Sequence, residues 1–189
     1  MKSYLRFLSR NKLYTAIEVV GLSVALAFVL IIGSYVWQEY SISRENPDYE
    51  RIYIPTQSMP YGIFEPMKEQ IPEIEKITLV NSFDDVVMEC DDERLVTRGL
   101  AVRGDFFDIF DYEFLIGDAG CLESYTDIVI SESYAAKLAG KPELAVGMKI
   151  VPVDYPSQAY TVTGIIKDFD QNYWKYMDFI CKGESPLND

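Results

Sequence analysis

The sequence contains no histidine. This absence excludes Ser-His-Asp and Cys-His catalysis, as well as zinc or haem held by histidine, because each of these needs an imidazole. The sequence also lacks the Gly-x-x-x-x-Gly-Lys-Ser/Thr phosphate loop, so it carries no motif for binding a nucleoside triphosphate in this way. An enzyme built from these residues would have to use carboxylates, lysine or cysteine.

Cysteine is scarce. Cys90, Cys121 and Cys181 lie far apart and form no C-x-x-C pair, so their spacing does not indicate a zinc site or a thiol-exchange site. We expect all three to act as small apolar core residues. The spacing is also compatible with one disulfide bond in an oxidising compartment, but the sequence does not define which two cysteines would pair.

Basic residues are few, with 17 Lys and Arg against 30 Asp and Glu. The part of the chain after Trp37 carries 29 acidic and 13 basic residues, a net charge of −16. Phosphate binding needs clustered lysine and arginine, so nucleic acid is not an expected partner. This part is long enough to bury the core of one domain.

The longest uncharged run covers residues 19–37. A helix needs about 20 mainly apolar residues to cross the hydrocarbon core of a membrane, so this run predicts one transmembrane helix. The segment before the run is basic and has no acid up to residue 12, which by the positive-inside rule places residues 1–12 in the cytoplasm. The basic residues are Lys2, Arg6, Arg10 and Lys12.

A cleaved signal peptide is the alternative interpretation of this run. The run ends in bulky Tyr35, Val36 and Trp37 without a small-x-small cleavage site, which favours a retained helix. We therefore predict a basic cytoplasmic segment at residues 1–12, a transmembrane helix at 13–40, an extracytoplasmic domain at 41–182 and a polar tail at 183–189. The residues that mark the span are Val19, Gly21, Leu26, Phe28, Ile32 and Trp37.

Patterns of short strands and short helices alternate along the external part. Ser131 is placed to cap a helix over residues 132–139 that ends at Gly140. The fold class predicted for this domain is α+β, with mixed strands and short helices. The other predicted elements are strands at 51–57, 74–80 and 127–130, a helix at 64–70, and hairpins that pair 86–90 with 95–102 and 149–153 with 160–167.

A compact turn at residues 105–110 carries three phenylalanines. Phe106, Phe107 and Phe110 are spaced so that their rings can enter the core together, and Gly117 follows at the end of the same motif. We expect these four residues to form a structural core motif.

Two pairs of aspartates are the candidates for carboxylate catalysis, Asp84 with Asp85 and Asp168 with Asp170. Neighbouring acids usually form a solvated edge, and we expect no catalysis from either pair. Residues 168–172 also resemble the opening of a calcium loop, but Tyr173 stands where that loop needs glycine and Phe179 where it needs glutamate. We expect no metal and no cofactor.

Several segments, taken in order, resemble the periplasmic core domain of MacB-like ABC transporter permeases, in the FtsX-like superfamily. The first segment resembles the cytoplasmic coupling stretch and first membrane helix of such permeases, and the others resemble segments of the external domain. They are FLSRNKLYTAIEVVGLSVALAFVLII, DYERIY, IPEIEKITLV, AVRGDFFDIFDYEFLIGD, DIVISESYAAKLAGKPELAVGMKI and YTVTGIIKDF.

The resemblance implies a non-enzymatic permease of the bacterial inner membrane that couples ATP hydrolysis by a separate cytoplasmic ATPase to an extracytoplasmic domain, for export. It implies that Arg6, Arg10, Asn11 and Lys12 serve the cytoplasmic coupling. The further partners implied are the rest of the permease or a second permease copy. The alternative is a single-pass, membrane-anchored binding or sensor module.

The chain also departs from the family pattern. Family permeases carry four membrane helices and a longer external domain, and this sequence resembles only the N-terminal part. We therefore expect an incomplete external domain, in which the strand at residues 160–167, or its neighbour, is left as an open edge.

Overall fold

The computed structural model describes residues 12–41, 48–55, 63–91, 93–168 and 176–183. The chain divides into two compact units, residues 1–45 and residues 46–189. Each is described here by itself.

The first unit contains helix α1, Lys12–Ser41. Its 30 residues make it about 45 Å long, more than the roughly 30 Å of a hydrocarbon core. By length and composition, Lys12–Gln38 can cross a membrane. The hydroxyls of Ser23 and Ser34 donate hydrogen bonds to backbone carbonyls one turn earlier, at 2.7 and 2.8 Å, so these polar groups are satisfied within the helix.

The second unit contains three helices, three 3₁₀ turns and seven strands in the described residues. The helices are α2 (Phe64–Gln70), α3 (Phe106–Ile109) and α4 (Glu132–Ala139). The 3₁₀ turns are Tyr49–Arg51, Ala119–Leu122 and Pro142–Leu144. The strands are β1 (Thr78–Cys90), β2 (Glu93–Gly104), β3 (Phe114–Ile116), β4 (Asp127–Ser131), β5 (Lys149–Pro152), β6 (Tyr160–Ile166) and β7 (Phe179–Lys182).

The predicted strand at residues 51–57 is wrong over residues 51–55, and residues 56 and 57 lie outside the described residues. Arg51 ends a 3₁₀ turn, in which its N–H donates to the Asp48 carbonyl at 2.8 Å. The alternation of apolar residues that suggested a strand has another cause, since Ile52 packs against the core from a segment without regular structure.

The strands predicted at 74–80 and 86–90 belong to one long strand, β1, which begins only at Thr78, so residues 74–77 are not part of it. Strand β1 pairs with β2 along its whole length, and the register shifts at a bulge between Phe83 and Val86. Asp85 within the bulge has φ of 57°, in the left-handed region that aspartate tolerates better than most residues. The acids of the bulge interrupted the apolar pattern and made one strand look like two.

Six strands close into a ring, in the order β1, β2, β7, β4, β6, β5 and back to β1. Strand β5 closes it, because Glu89 of β1 pairs with Val151 while Thr161 of β6 pairs with Lys149. The pairs β2–β7 and β4–β6 are parallel and the other pairs are antiparallel. Strand β3 adds to the end of β6. The mixed sheet with its short helices confirms the α+β prediction.

The expectation of an open edge at residues 160–167 is wrong for β6. Strand β4 lies along one side of β6, and β5 and β3 pair with its beginning and its end. Ring closure therefore leaves β6 in the interior of the sheet.

The two faces of the sheet bury separate apolar clusters. Ile128 and Ile130 of β4 belong to one cluster, together with Tyr134 of α4, whereas Val129 belongs to the other, together with Phe106 of α3. Successive residues of a strand point to opposite faces, which explains this division.

Phe106 is the centre of the second cluster. It is 1% exposed and its ring centroid lies 5.3 Å from Phe107, 5.1 Å from Phe110 and 5.6 Å from Tyr112. Phe110 is also buried, but Phe107 is only half-buried. The three phenylalanines therefore contribute unequally to the core.

We predict that Phe106→Ala lowers the free energy of unfolding by about 3–5 kcal/mol, because it leaves a cavity in a closely packed cluster. Phe107→Ala is the matched control and should cost clearly less. Chemical denaturation of the full chain in detergent, followed by tyrosine fluorescence, measures both losses. Equal losses would show that Phe106 is not the centre of this cluster.

Candidate functional site

The phenylalanine motif is fastened to the segment that precedes β1. The side chain of Asp105, just before α3, accepts a hydrogen bond from Lys68 Nζ of α2 at 2.7 Å and another from the Ile77 N–H at 3.1 Å. The Asp105 N–H donates in return to the Ile77 carbonyl at 3.0 Å. One carboxylate thus joins α2, the start of β1 and the start of α3. We call Lys68, Lys76, Ile77, Asp105 and Asp108 the junction.

Two further contacts hold the same segment. Lys76 Nζ donates to the Asp108 carbonyl at 3.0 Å. Arg51, in the 3₁₀ turn nearest to the membrane helix in sequence, bridges to Glu75 at 2.5 Å and lies 3.6 Å from Asp48. The chain that follows α1 is therefore attached to the junction through side chains as well as through the backbone.

The pKa of the Asp105 carboxyl reflects opposing influences. Burial raises this pKa, but the hydrogen bonds from Lys68 and the Ile77 N–H, together with the charges of Lys68 and Lys76, outweigh burial and hold the pKa below its ordinary value. Asp105 is therefore an anion at neutral pH and the ion pair with Lys68 is intact.

At two positions, Gly117 and Gly99, another side chain packs so close to the backbone that only glycine fits. Gly117 has φ of 87°, and a β-carbon there would collide with Cys121 Sγ, so any other residue would be strained. Gly99 of β2 lies under the ring of Phe179, its partner in β7, and a β-carbon at Gly99 would overlap that ring.

Two shallow grooves lie on either side of the β1 bulge. The first, of about 330 Å³, contains three carboxylates, Asp84, Asp85 and Asp154, and no basic residue in its lining. Asp84 is well solvated, with a side chain 71% exposed, and Arg98 Nε lies 3.7 Å from it. Asp84 and Asp85 therefore lie in a solvated, acidic groove.

The second groove, of about 380 Å³, lies between the residues that lead into β7, helix α4 and the edge of β2. It is lined by Asp85, Val96, Thr97, Arg98, Ser133, Lys137, Tyr176 and Asp178. This groove mixes both charge signs with an exposed valine.

In the second candidate pair, Asp168 with Asp170, the described residue Asp168 caps a helix. Asp168 Oδ1 accepts a hydrogen bond from the Ser133 N–H at the start of α4, at 2.9 Å. Asp170 and Asn172 lie outside the described residues, and Phe179 is buried in β7. Within the described ranges, no three Asp, Glu or Cys side chains are grouped closely enough to hold a metal ion.

Two of the three cysteines, Cys90 and Cys181, are buried, which makes their thiols poorly reactive. Burial raises the pKa of the Cys181 thiol to about 12, and burial together with the nearby Asp91 and Glu93 raises that of Cys90. All three cysteines are free thiols in the structure, and Cys121 is half-buried.

The residues marked from the sequence belong to different parts of the chain. Arg6, Arg10 and Asn11 lie outside the described residues, and Lys12 is the first residue of α1. The six residues that mark the span are exposed along α1, whereas the core motif is in the second unit. The junction residues Lys68 and Asp105 were missed because no sequence pattern links positions 37 residues apart.

Asp105→Asn should destabilise the chain by up to about 1 kcal/mol at neutral pH, because it removes the ion pair but keeps an acceptor for the Ile77 N–H. The lowered pKa implies that this stability is present above the unfolded-state pKa, about 3.9, and is lost as the pH falls through the folded-state value. The gap in melting temperature between Asp105→Asn and the natural chain should therefore close in acid.

Lys68→Met provides the control for that measurement. It should destabilise the natural chain but have little further effect in Asp105→Asn, since the partner is already gone. A gap that stays constant from pH 7 to pH 3 would contradict the role assigned to the Asp105 charge.

Solved structures of similar proteins share this fold. Three of them are a domain of a permease protein from Porphyromonas gingivalis (TM-score 0.55, 23% identity), the periplasmic region of MacB from Actinobacillus actinomycetemcomitans (0.51, 14%) and the extracellular domain of the noncanonical ABC-type transporter YknZ from Gram-positive bacteria (0.51, 15%). The matches cover 66%, 76% and 69% of this chain, which spans 53%, 63% and 65% of those structures.

A search of curated proteins found none that matches. The family model of the MacB-like periplasmic core domain matches residues 15–179 of the 189. This chain therefore belongs to the family of MacB-like periplasmic core domains.

Proposed function

We propose that this protein is a membrane-anchored, non-enzymatic part of an ABC transporter permease, in which the extracytoplasmic domain responds to ATP hydrolysis by a separate cytoplasmic ATPase. Membership in the family supports this proposal, together with the one helix in the described residues that is long and apolar enough to cross a membrane. The bacterial inner membrane and a role in export are part of the same proposal.

The observation that carries the proposal is the way the chain after α1 is attached to the external domain. Arg51 is bonded to Glu75, Lys76 to Asp108, and Ile77 reciprocally to Asp105. A displacement of the segment at Arg51 would therefore pull on the junction and on the buried Phe106 beside it. Such an attachment has a use in a protein whose external domain must follow a moving membrane helix.

On the cytoplasmic side, the residues that couple the ATPase to the membrane helix are those that precede the apolar run, Arg6, Arg10, Asn11 and Lys12. The ATPase contacts these residues, and the rest of the permease, or a second permease copy, completes the membrane assembly. No nucleic acid takes part, since the external part is strongly acidic.

The orientation is tested by labelling cells with a membrane-impermeant maleimide. A cysteine introduced by Ser157→Cys, at an exposed position, should be labelled from outside, whereas one introduced by Ser3→Cys should be labelled only after the membrane is opened. The natural chain is the background control, because its buried Cys90 and Cys181 should react slowly. Labelling of position 3 in intact cells would overturn the orientation.

The coupling is tested by purifying the full chain from its own cells. An ATPase should copurify with the natural chain, and Arg10→Ala combined with Asn11→Ala should reduce its recovery by about tenfold, as loss of central interface contacts does. Lys149→Ala, an exposed change in β5, is the control and should have no effect. A natural chain that brings no ATPase would instead support the single-pass sensor module.

A further inference from the structure

Strand β2 has a free edge beside the second groove. Its residues alternate between facing β1 and facing away from it, as in any antiparallel pair. Arg98 faces away, since its carbonyl accepts from the Asp178 N–H at 2.7 Å and its N–H donates to Asp178 Oδ2 at 2.9 Å. Val96 and Arg94, two and four residues earlier, face the same way.

Nothing in the described part of the chain pairs with that edge. Strand β7 pairs with β2 only from Gly99 to Val102, and the contacts of Asp178 end at Arg98. The backbone groups of Arg94 and Val96 therefore point outward without a hydrogen-bond partner among the described residues. Such groups form a template for one more strand.

The second groove provides the space for that strand. It adjoins Val96, Thr97 and Arg98 on one side and Ser133 and Lys137 of α4 on the other. An extended segment in this position would continue the line of β7 along β2. Val96 is 67% exposed, so the segment would also cover an apolar side chain that now faces solvent.

The charged residues at the edge of β2 indicate which kind of peptide segment would bind there. On one face of β2, Arg94 and Arg98 flank Val96, and β1 already opposes the two arginines with Glu89 at 2.6 Å and Asp84 at 3.7 Å. A segment with an acidic, an apolar and an acidic residue at alternate positions would place opposite charges beside the two arginines on the open side of β2, as β1 does on the other side. Lys137 across the groove favours the same negative charge, whereas two carboxylates of the lining oppose it, Asp85 at one end and Asp178, which accepts from the Arg98 N–H.

A second copy of the chain fits this edge poorly. Symmetrical antiparallel pairing about Val96 would set Arg94 of each copy opposite Arg98 of the other, and like charges directly opposite each other destabilise a sheet. In that register the charges therefore favour a different polypeptide segment as the occupant.

We propose that the edge of β2 at Arg94–Arg98 is a docking site for an extended segment of another polypeptide, in which acidic and apolar residues alternate. The backbone of Arg94 and Val96 supplies the pairing, and Arg98 with Lys137 supplies the preference for acids. This proposal is independent of the ATPase coupling.

The experiment uses the full chain in detergent and a synthetic peptide with glutamate, valine and glutamate at alternate positions, separated by serine. Amide exchange measured by NMR should be fast at Arg94 and Val96 in the free chain and slower by at least about tenfold with saturating peptide. Slow exchange at both amides in the free chain would overturn the proposal, because it would show that the edge is already paired.

Two peptide controls separate strand pairing from charge attraction. A peptide methylated on the backbone nitrogens of one edge keeps its charges but cannot pair through that edge, and a peptide with lysine in place of glutamate keeps its backbone. Two methylated peptides are compared, one for each edge, and the peptide whose pairing edge is methylated should no longer slow amide exchange at Arg94 and Val96. The lysine peptide should bind at least about tenfold more weakly than the glutamate peptide. Undiminished binding by both methylated peptides would overturn the pairing.

A charge reversal in the protein completes the test. Arg98→Glu should weaken binding of the glutamate peptide by about tenfold and strengthen that of the lysine peptide, while Lys149→Glu, the same change on β5, should alter neither. Equal effects of the two variants would show that only the net charge of the domain matters, and would overturn the assignment of the site.

Discussion

Strand β5 determines the form of the sheet, because it joins β1 to β6 and so turns an open sheet into a ring. It contains only four residues, Lys149–Pro152, with two residue pairs on each side. Its Ile150 is completely buried beside Tyr160, its partner in β6. Proline can end this strand because its missing N–H is not needed there, and the next bond, from the Val153 N–H to the Val87 carbonyl, continues the contact with β1.

The closure of the ring determines which strand edges keep backbone N–H and C=O groups without a partner among the described residues. It covers both sides of β6, but it cannot cover the first half of β2, because β2 has twelve residues and its neighbour β7 has four. Asp178 partly corrects the mismatch by bonding to both backbone groups of Arg98. The edge before Arg98 thus follows from unequal strand lengths within a closed ring.

The sequence predicted the elements that rest on local patterns. The helix Glu132–Ala139 has the expected bounds, with Ser131 accepting from the Tyr134 N–H and Gly140 at φ of 73°, and both hairpins pair as expected. The family resemblance and the α+β class were also predicted correctly. Local patterns could not predict ring closure, since β5 has no feature that selects β1 as a second partner.

The same limit applies to the candidate sites. The spacing of the phenylalanines indicated a core motif, but the ring that is most buried depends on Tyr112 stacking on Phe106. The ion pair of Lys68 with Asp105 and the outward edge of β2 both depend on tertiary placement. Charged residues in short helices and strands occur on most surfaces, so no local signal distinguished these.

The strength of the junction does not come mainly from its ion pairs. The bridges from Arg51 to Glu75 and from Lys68 to Asp105 are partly or largely solvated, and such pairs contribute about 0–1 kcal/mol each. The reciprocal bonds between Ile77 and Asp105 differ, because they extend the ladder in which Thr78 pairs with Gly104. A force on the segment after α1 would therefore reach β1 and β2 through the backbone ladder, with Asp105 at its first rung and Phe106 anchored directly behind it in the core. The ion pairs set the position of α2 and the 3₁₀ turn, whereas the backbone ladder fixes the start of β1 to the end of β2.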